Sequence, residues 1–503
     1  MILIFSLLMI WWFVWTTSRK KRDKQIRNFP LPPGPPGLPL VGYLPFLRQD
    51  LHCFYAELAK THGPIFSLRL GTKLCVVLSS PSLAKEIFKD QDPVFANRDP
   101  PQSGLITSYG GSDMVWAPNG PLWRLLRKTC VREVMANSRI DATSGIRRVE
   151  VRDLVHDLYT DHAGTPVNVA DKAFVAVLNV VSSTIWGGKL HGDQEKLRIG
   201  AEFRRVVDNV VELLGRPNVS DFFPLLARFD LQGVARESRR NLEWFETIFD
   251  PMIYKRLKNM DEFEDESKSR GKEDTLETLL RTYPQGWRRP GNCFEFEPYQ
   301  GLDQLVAGTD TTSTTIEWTM AQLLKEPEMM RRVQRELDRV VGLHQRVEEF
   351  HVPDLHYLRA VVKEVMRLYP IAPLLTPRRP SQTSVVGGYT IQEGTTVLVN
   401  AWAIHRDSEY WDEPLEFRLE RFLEDGRRCK GLLDGASNDF RYLPFGSGRR
   451  ICVGIPLGER MIMLLLASLL HSFDWRLPQG LELNMSDKFG IVLKKSVPLV
   501  VRL

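Results

Sequence analysis

The ten residues Phe445 to Gly454, FGSGRRICVG, set a single cysteine in a tight, basic, glycine-rich turn just ahead of a strongly apolar run, Leu457 to Leu470. No cysteine close by in sequence could pair with it. A thiolate that ligates a metal needs positive surroundings to lower its pKa and a backbone that the metal group can approach. Arg449 and Arg450 supply the charge, while Gly446, Gly448 and Gly454 remove side-chain bulk. The apolar run reads as a buried helix, and its N-terminal dipole beside Cys452 also favours an anion. On this loop alone, a structural cysteine buried next to a basic turn stays open as the alternative.

Such a loop needs a large body around it, and the composition allows one. The chain has 503 residues, 43% hydrophobic and 26% charged, which suits a sizeable core and argues against global disorder. A net charge of +5 is small for this length and lacks the basic footprint of a nucleic-acid binder, so no nucleic-acid partner is expected. Part of the basic excess has one address. Met1 to Trp15, MILIFSLLMIWWFVW, is almost wholly apolar and is followed by RKKRDKQIR, with six basic residues and one acid. The charge follows the apolar run instead of preceding it, unlike a cleaved signal peptide. Lys and Arg concentrate on cytoplasmic flanks, so residues 1–18 are expected to be a single N-terminal membrane anchor with the bulk of the chain in the cytosol. The run is shorter than a typical span of ~20 residues and suits a thin bilayer such as the endoplasmic reticulum. The six cysteines, Cys53, Cys75, Cys130, Cys293, Cys429 and Cys452, show no CxxC pair and no zinc spacing, which fits free thiols in a reducing compartment.

Residues 19–37 are basic and then proline-rich. Pro32 to Gly37, PPGPPG, excludes helix and is expected to be a stiff linker to a catalytic domain at 38–503. Ile65 to Leu70 and Leu74 to Ser79 read as a hairpin about Gly71-Thr72, and Thr383 to Asn400 as a second set of strands broken at Gly387-Gly388 and Glu393-Gly394. Pro121 to Met135, Pro327 to Val341, Leu355 to Tyr369 and Leu457 to Leu470 read as helices. Asn259 to Thr275 is dense in both charges and reads as a solvated, mobile loop. The fold class is mostly α with a minor β-sheet.

Phe445, Gly448, Arg450, Cys452 and Gly454 match the pattern F-x-x-G-x-R-x-C-x-G. With it the chain resembles the cytochrome P-450 superfamily of haem-thiolate monooxygenases, and the resemblance implies that fold, haem b as cofactor and Cys452 as axial ligand to the iron. Further motifs follow in the right order. Glu364 and Arg367 in KEVMRLYP match E-x-x-R and, three apart on a helix, share one face. The resemblance implies a buried triad with Arg421 of FRLERF that locks the cysteine region. Leu419 and Ser408 stand where the family commonly carries proline, which is expected to loosen the loop. Trp123 and Arg127 match W-x-x-x-R and, with Arg378 and Arg450, are implied partners of the haem propionates, a role that suits the bidentate arginine fork. Phe445 is implied to face the haem.

The segment between Pro298 and Pro327 is long enough for one helix, yet its centre, AGTDTT from Ala307 to Thr312, is a poor helix former. Such a conflict points to a functional distortion, because threonine hydroxyls compete for backbone carbonyls. The resemblance implies that Asp310 and Thr311 manage proton delivery during oxygen activation. It also implies a substrate pocket with Ala307, Ala372, Leu375 and Ile491 among its walls, apolar and without charge for an acidic substrate. The similarity is strongest to plant microsomal enzymes and extends to a group that includes sesquiterpene oxidases. One stretch departs: Thr282 to Gly301 lacks the apolar lead-in expected before AGTDTT.

No G-x-G-x-x-G follows a strand, and no part resembles a flavin or nicotinamide domain. Electrons are therefore expected from a separate membrane-bound NADPH-dependent cytochrome reductase, with NADPH used only indirectly. The basic turn near Cys452 is a docking face for such an acidic partner. The expected function is insertion of one oxygen atom from dioxygen into a hydrophobic small molecule, a terpene or sesquiterpene first, a flavonoid or other phenylpropanoid second. The alternatives are a haem-thiolate isomerase or dehydratase without a reductase, or a non-catalytic haem binder. The Asp310-Thr311 pair favours the first, because dioxygen cleavage needs a proton relay.

Overall fold

Ile65–Leu70 and Lys73–Leu78 pair antiparallel about Gly71-Thr72, as their β-branched runs and turn predict. They open a five-stranded sheet in a computed structural model that describes residues 29–186, 193–263, 300–423, 432 and 439–503. The sheet continues with Thr396–Val399, Arg378–Arg379 and Asn97–Arg98. Only the contact between Lys73–Leu78 and Thr396–Val399 is parallel. The second expected set of strands is therefore divided. Ser384–Val386 and Tyr389–Ile391 form a hairpin across Gly387-Gly388, while Thr396–Val399 joins the first sheet. This register sets Arg98 directly opposite Arg378.

The rest is mainly helical, which agrees with the expected class. Helices run at Pro121–Thr129, Pro327–Val340, His356–Leu368 and Ile455–Ser472, close to their predicted bounds. The first widens into a π-helical turn at Cys130–Val134, where Met135 N donates to Cys130 O at 2.8 Å. Within Ile455–Ser472, every residue from Met461 to Leu470 is buried. Burying each large aliphatic side chain contributes about 1.5–3 kcal/mol. That helix is long and apolar enough to cross a membrane, but 61% of it is buried inside the protein, so it is the core helix under the site.

Gln300–Lys325 is one continuous helix packed along Val169–Trp186. The expected distortion at its centre does not break it. Thr309, Thr311, Thr315 and Thr319 each donate a hydroxyl hydrogen bond to the carbonyl four residues back. The hydroxyls are thereby satisfied inside the core without displacing the helical bonds. Its far end is held by Trp318, stacked on Tyr369 at 4.1 Å and donating to Leu493 O at 3.0 Å.

Two sequence expectations change. The proline-rich run, in its described part, is tied to the sheets and is no free spacer. Ser67 donates through N to Pro33 O at 2.7 Å and through Oγ to Pro32 O at 2.9 Å, and Thr390 N reaches Pro30 O at 2.8 Å. A Cβ at Gly34 would sit 1.9 Å from the Ser67 carbonyl oxygen, so only glycine permits this approach. The charged stretch expected as a loop from Asn259 begins inside the helix Val234–Phe263. Its remainder lies outside the described residues, as do the expected anchor and basic segment at 1–28, Cys293, Cys429 and nearly all of 282–301.

Candidate active site

The turn at 445–454 is held in place by its backbone. Cys452 N donates to Phe445 O at 3.0 Å, and Gly446 and Gly448 adopt φ of 68° and 72°. A Cβ on Gly448 would meet Phe88 O at 2.5 Å, so the loop can press against that neighbour only with glycine there. Asp92 fastens the same turn. It accepts from Arg449 N at 2.7 Å and lies 3.4 Å from the Arg378 guanidinium. No local sequence pattern marks Asp92, which stands more than 350 positions before the turn.

Cys452 lines a cavity of about 320 Å³ between that turn and the helix Gln300–Lys325. The N–H groups of Gly454 and Ile455, the first turn of Ile455–Ser472, point at its sulfur. Cys452 is exposed to the cavity. Burial pushes its pKa up, and the two N–H groups and Arg127 offset that only in part. A cationic metal at the sulfur supplies the missing counter-charge.

Four guanidinium groups, those of Arg98, Arg127, Arg378 and Arg450, line the same cavity. Burial and mutual repulsion push Arg450 down to about 9, and burial takes Arg378 to about 10 and Arg98 well below its ordinary value. Arg450 donates to the carbonyls of Ala96 and Met114, at 2.8 and 3.2 Å, and to that of Ala117. Its Cζ lies 4.1 Å over the Trp123 ring. Arg127 reaches Ile451 O at 2.6 Å, and Arg378 reaches Ser447 O at 3.0 Å. Two buried donors have no partner, Arg98 Nε on a residue that lines the cavity and Trp123 Nε1 on one that does not line it but stacks under Arg450. Converging like charges with orphaned donors require an anion. The set fits a haem, with two carboxylates toward the arginines and an iron toward Cys452. Arg98 was not singled out from sequence; only its cross-strand register with Arg378 brings it in.

Glu364, Arg367 and Arg421 come together. Arg367 forms a bidentate pair with Glu364 at 2.7 Å, both fully buried, and Arg421 Nε lies 3.4 Å from Glu364 Oε1. Arg367 also donates to the carbonyls of His405, Pro414 and Glu416. Leu419 is buried in the core, so its side chain replaces the rigidity of a proline with packing. His405, another residue missed from sequence, links the triad to the cysteine turn: its Nε2 accepts from Leu443 N at 2.8 Å, and its Nδ1 lies 3.2 Å from Arg367 O.

Phe445, Ala307, Thr311, Ala372 and Leu375 line the cavity. Asp310 does not; it is buried against Lys494 at 2.6 Å. Ile491 is also elsewhere. It lines a neighbouring cavity of about 170 Å³, and Leu375 borders both. Gly490-Ile491 packs so tightly on the end of Asp193–Gly215 that a Cβ at Gly215 would lie 2.5 Å from Ile491 N.

The family model described as Cytochrome P-450 matches residues 32–502. A geraniol 8-hydroxylase from Swertia mussotii is 39% identical over 96% of this chain and 94% of its own length. A flavonoid 3'-monooxygenase from Crocosmia x crocosmiiflora is 38% identical over 94% of this chain and 92% of its own. A zebra fish cytochrome P-450 solved with progesterone superposes with a TM-score of 0.73 at 26% identity, covering 90% of this chain and 99% of that one. With a cavity that joins a lone thiol to four arginines, and with relatives alike across almost their whole length, the chain belongs to the cytochrome P-450 family and is a haem-binding monooxygenase.

Proposed function

We propose that the chain hydroxylates a small terpenoid, and that Cys452 ligates the haem iron while Arg98, Trp123, Arg127, Arg378 and Arg450 hold the propionates. Bound haem supplies the redox centre at which dioxygen is activated. The observation that carries the substrate class is the apolar part of the cavity lining, apart from the arginines assigned to the propionates. Val115, Val177, Ala307, Ile371, Ala372 and Leu375 are apolar, so an acidic substrate would lose hydration without gaining a partner. The geraniol 8-hydroxylase and a geranylhydroquinone 3''-hydroxylase from Arnebia euchroma, 37% identical, favour a prenyl chain. The flavonoid 3'-monooxygenase supports a flavonoid as the second reading.

Thr311 keeps a hydroxyl oxygen at the cavity while its proton is donated to Ala307 O at 2.5 Å, so it is set to accept a hydrogen bond from a water there. Asp310, next in the chain, holds the exchangeable proton. Electrons come from a separate NADPH-dependent reductase. Arg124, Lys128 and Arg132, spaced four apart, are exposed on the outer side of the segment that carries Trp123 and Arg127, and Arg449 is half exposed beside it. Arg450 is buried and takes no part in docking. An acidic partner suits this face.

The protein sits at the endoplasmic reticulum membrane with its catalytic part in the cytosol. Leu38, Leu40 and Phe46 are exposed on one side of the Gly71-Thr72 turn, and Leu225, Phe229 and Leu231 on the other. Gly71 N bonds Val41 O and Thr72 N bonds Phe222 O, which makes the two segments neighbours. Exposed apolar side chains gathered about one turn support a membrane contact there. Microsomes holding the chain and a reductase, offered geraniol and a flavonoid, test the reading. A hydroxylated terpenoid formed only with NADPH is expected, and Cys452→Ala abolishes both product and the thiolate-type carbon-monoxide spectrum. Product from the flavonoid alone overturns the substrate class. Product without NADPH or oxygen overturns the monooxygenase reading in favour of a rearrangement.

A further inference from the structure

His52, near the start of the helix Leu51–His62, is 0% exposed, and neither of its ring nitrogens has a hydrogen-bond partner. Buried polar groups are normally paired, so this ring calls for a physical reason. Its face is stacked on Phe489, with centroids 5.3 Å apart at 15°, and Trp402 packs at a steep angle 5.2 Å away. His52 Nε2 lies 3.7 Å from Asp487 Oδ2, within ion-pair reach and beyond a hydrogen bond. Asp487 and Phe489 belong to one hairpin, in which Asp487–Lys488 pairs antiparallel with Lys494–Lys495. Phe489, Gly490 and Ile491, which join its strands, wall the second cavity, and its far strand carries Lys494, the partner of Asp310. The helix end is fixed independently, because Asn400 Nδ2 donates to His52 O at 2.8 Å.

A neutral imidazole only stacks at this place. An imidazolium gains twice, as a cation on the Phe489 face and as the ion-pair partner of Asp487. Burial opposes the charge, as does the Arg406 guanidinium, whose Cζ lies 4.1 Å over the Trp402 ring. Both contacts that strengthen with the charge stand on the hairpin, so charging the ring and seating the hairpin favour each other. We infer that His52 is a proton-controlled clasp: charged, it fastens the hairpin onto the helix Leu51–His62 through Asp487 and Phe489, and neutral, it lets the hairpin go. His52 lines neither cavity, so it is a positioning residue that acts on a ligand through Phe489 and Ile491. The other titratable or charged groups about the clasp are Cys53 and Asp50 on the same stretch of chain, with Arg48 3.3 Å from Asp50. Arg406 and Tyr369 stand on the Trp402 side, and Lys495 faces Asp487 across the hairpin. The consequence for ligands rests on the two cavities being the substrate's place in the protein; the clasp does not.

The test is hydrogen–deuterium exchange of the peptide spanning 487–493 in the full-length haem-loaded protein, corrected for the intrinsic rate. It covers roughly pH 5 to 8, where imidazoles change charge. Protection is expected to be about tenfold higher at the acid end than at the alkaline end, the size of one charge-assisted contact. His52→Phe keeps an aromatic face for Phe489 but carries no proton, so protection there is expected to be independent of pH. Asp487→Asn keeps the stack and the shape but loses the ion pair, so its slope is expected to be shallower than the parent's. If His52→Phe does not hold haem, Asp487→Asn decides alone. Flat protection in the parent, a parental slope in His52→Phe, or a parental slope in Asp487→Asn overturns the inference. None of these readouts involves substrate, so a wrong substrate class leaves them untouched.

Discussion

Lys494 Nζ stands 2.6 Å from Asp310 Oδ1 and 2.6 Å from Asp208 Oδ1. Asp310 is 1% exposed at its side chain, Lys494 21% and Asp208 44%, so the three form a graded path from solvent to the residue beside Thr311. Burial pushes the Asp310 carboxyl up, and Lys494 pulls it back down. A carboxyl balanced this way can take and release a proton without the site gaining a bare buried charge.

Asp310→Asn keeps the shape and removes the exchangeable proton. Turnover is expected to fall by about 10²-fold or more, the range of a lost acid–base group, with KM little changed. Lys494→Met is expected to slow turnover less, since Asp310 persists. Steady-state kinetics with saturating reductase measure both. A raised KM at unchanged kcat would move Asp310 from proton handling to substrate binding.

Thr311→Ala removes the only hydroxyl that this pair of residues shows to the cavity. Haem binding, ligand binding and NADPH oxidation are expected to persist, while electrons appear increasingly as hydrogen peroxide. The ratio of product to NADPH consumed reads this directly. Thr311→Ser is expected to restore most of it. An unchanged ratio in Thr311→Ala reduces Thr311 to one of several helix threonines bonded to their own backbone.

His405 links two buried parts of the site only while neutral, because its Nε2 must accept from Leu443 N. Burial, with Arg406 and Arg367 nearby, pushes its pKa down to about 3. In the unfolded chain the group titrates near ~6.5. Between these values the unfolded state binds more protons, so the His405 contribution is complete above about pH 6.5 and is lost as pH falls toward 3. The slope is at most about 1.4 kcal/mol per pH unit. Urea midpoints across this window are expected to fall more steeply in the parent than in His405→Asn, which keeps an acceptor without the titration. Equal slopes would mean the imidazole is not buried neutral.

Two N-x-[ST] matches report topology, at Asn218 and Asn484. Asn218 is 2% exposed and caps the short helix Val219–Phe222, so it cannot carry a glycan on the folded protein in any compartment. Asn484 is exposed and is the useful probe. In cells able to glycosylate, no glycosidase-sensitive mass is expected at Asn484 if the catalytic part faces the cytosol. Modification there would place it in the lumen.

Much of the site was legible because its parts are local. Glu364 and Arg367 meet because three residues along a helix share a face, and the cysteine turn is a run of ten residues whose glycines and arginines state their own geometry. The hairpin at 65–78 and the helix Ile455–Ser472 follow from local apolar or β-branched runs in the same way. The threonine-rich centre of Gln300–Lys325 was visible too, but its consequence was not: hydroxyls that compete with a helix in isolation are absorbed by it once packing holds the backbone helical.

What chain order alone determined, then, was which residues carry the chemistry and which neighbours within a turn they meet. Tertiary structure decided everything that joins distant segments. Arg98 enters the cavity through its register with Arg378, Asp92 and His405 brace the cysteine turn from afar, and Met114 N reaches Asp303 across nearly two hundred residues. Packing also moved Ile491 to a second cavity and turned Asp310 toward Lys494. The reason is one of range: backbone periodicity acts over a few residues, whereas desolvation and long-range pairing depend on what the whole fold brings alongside.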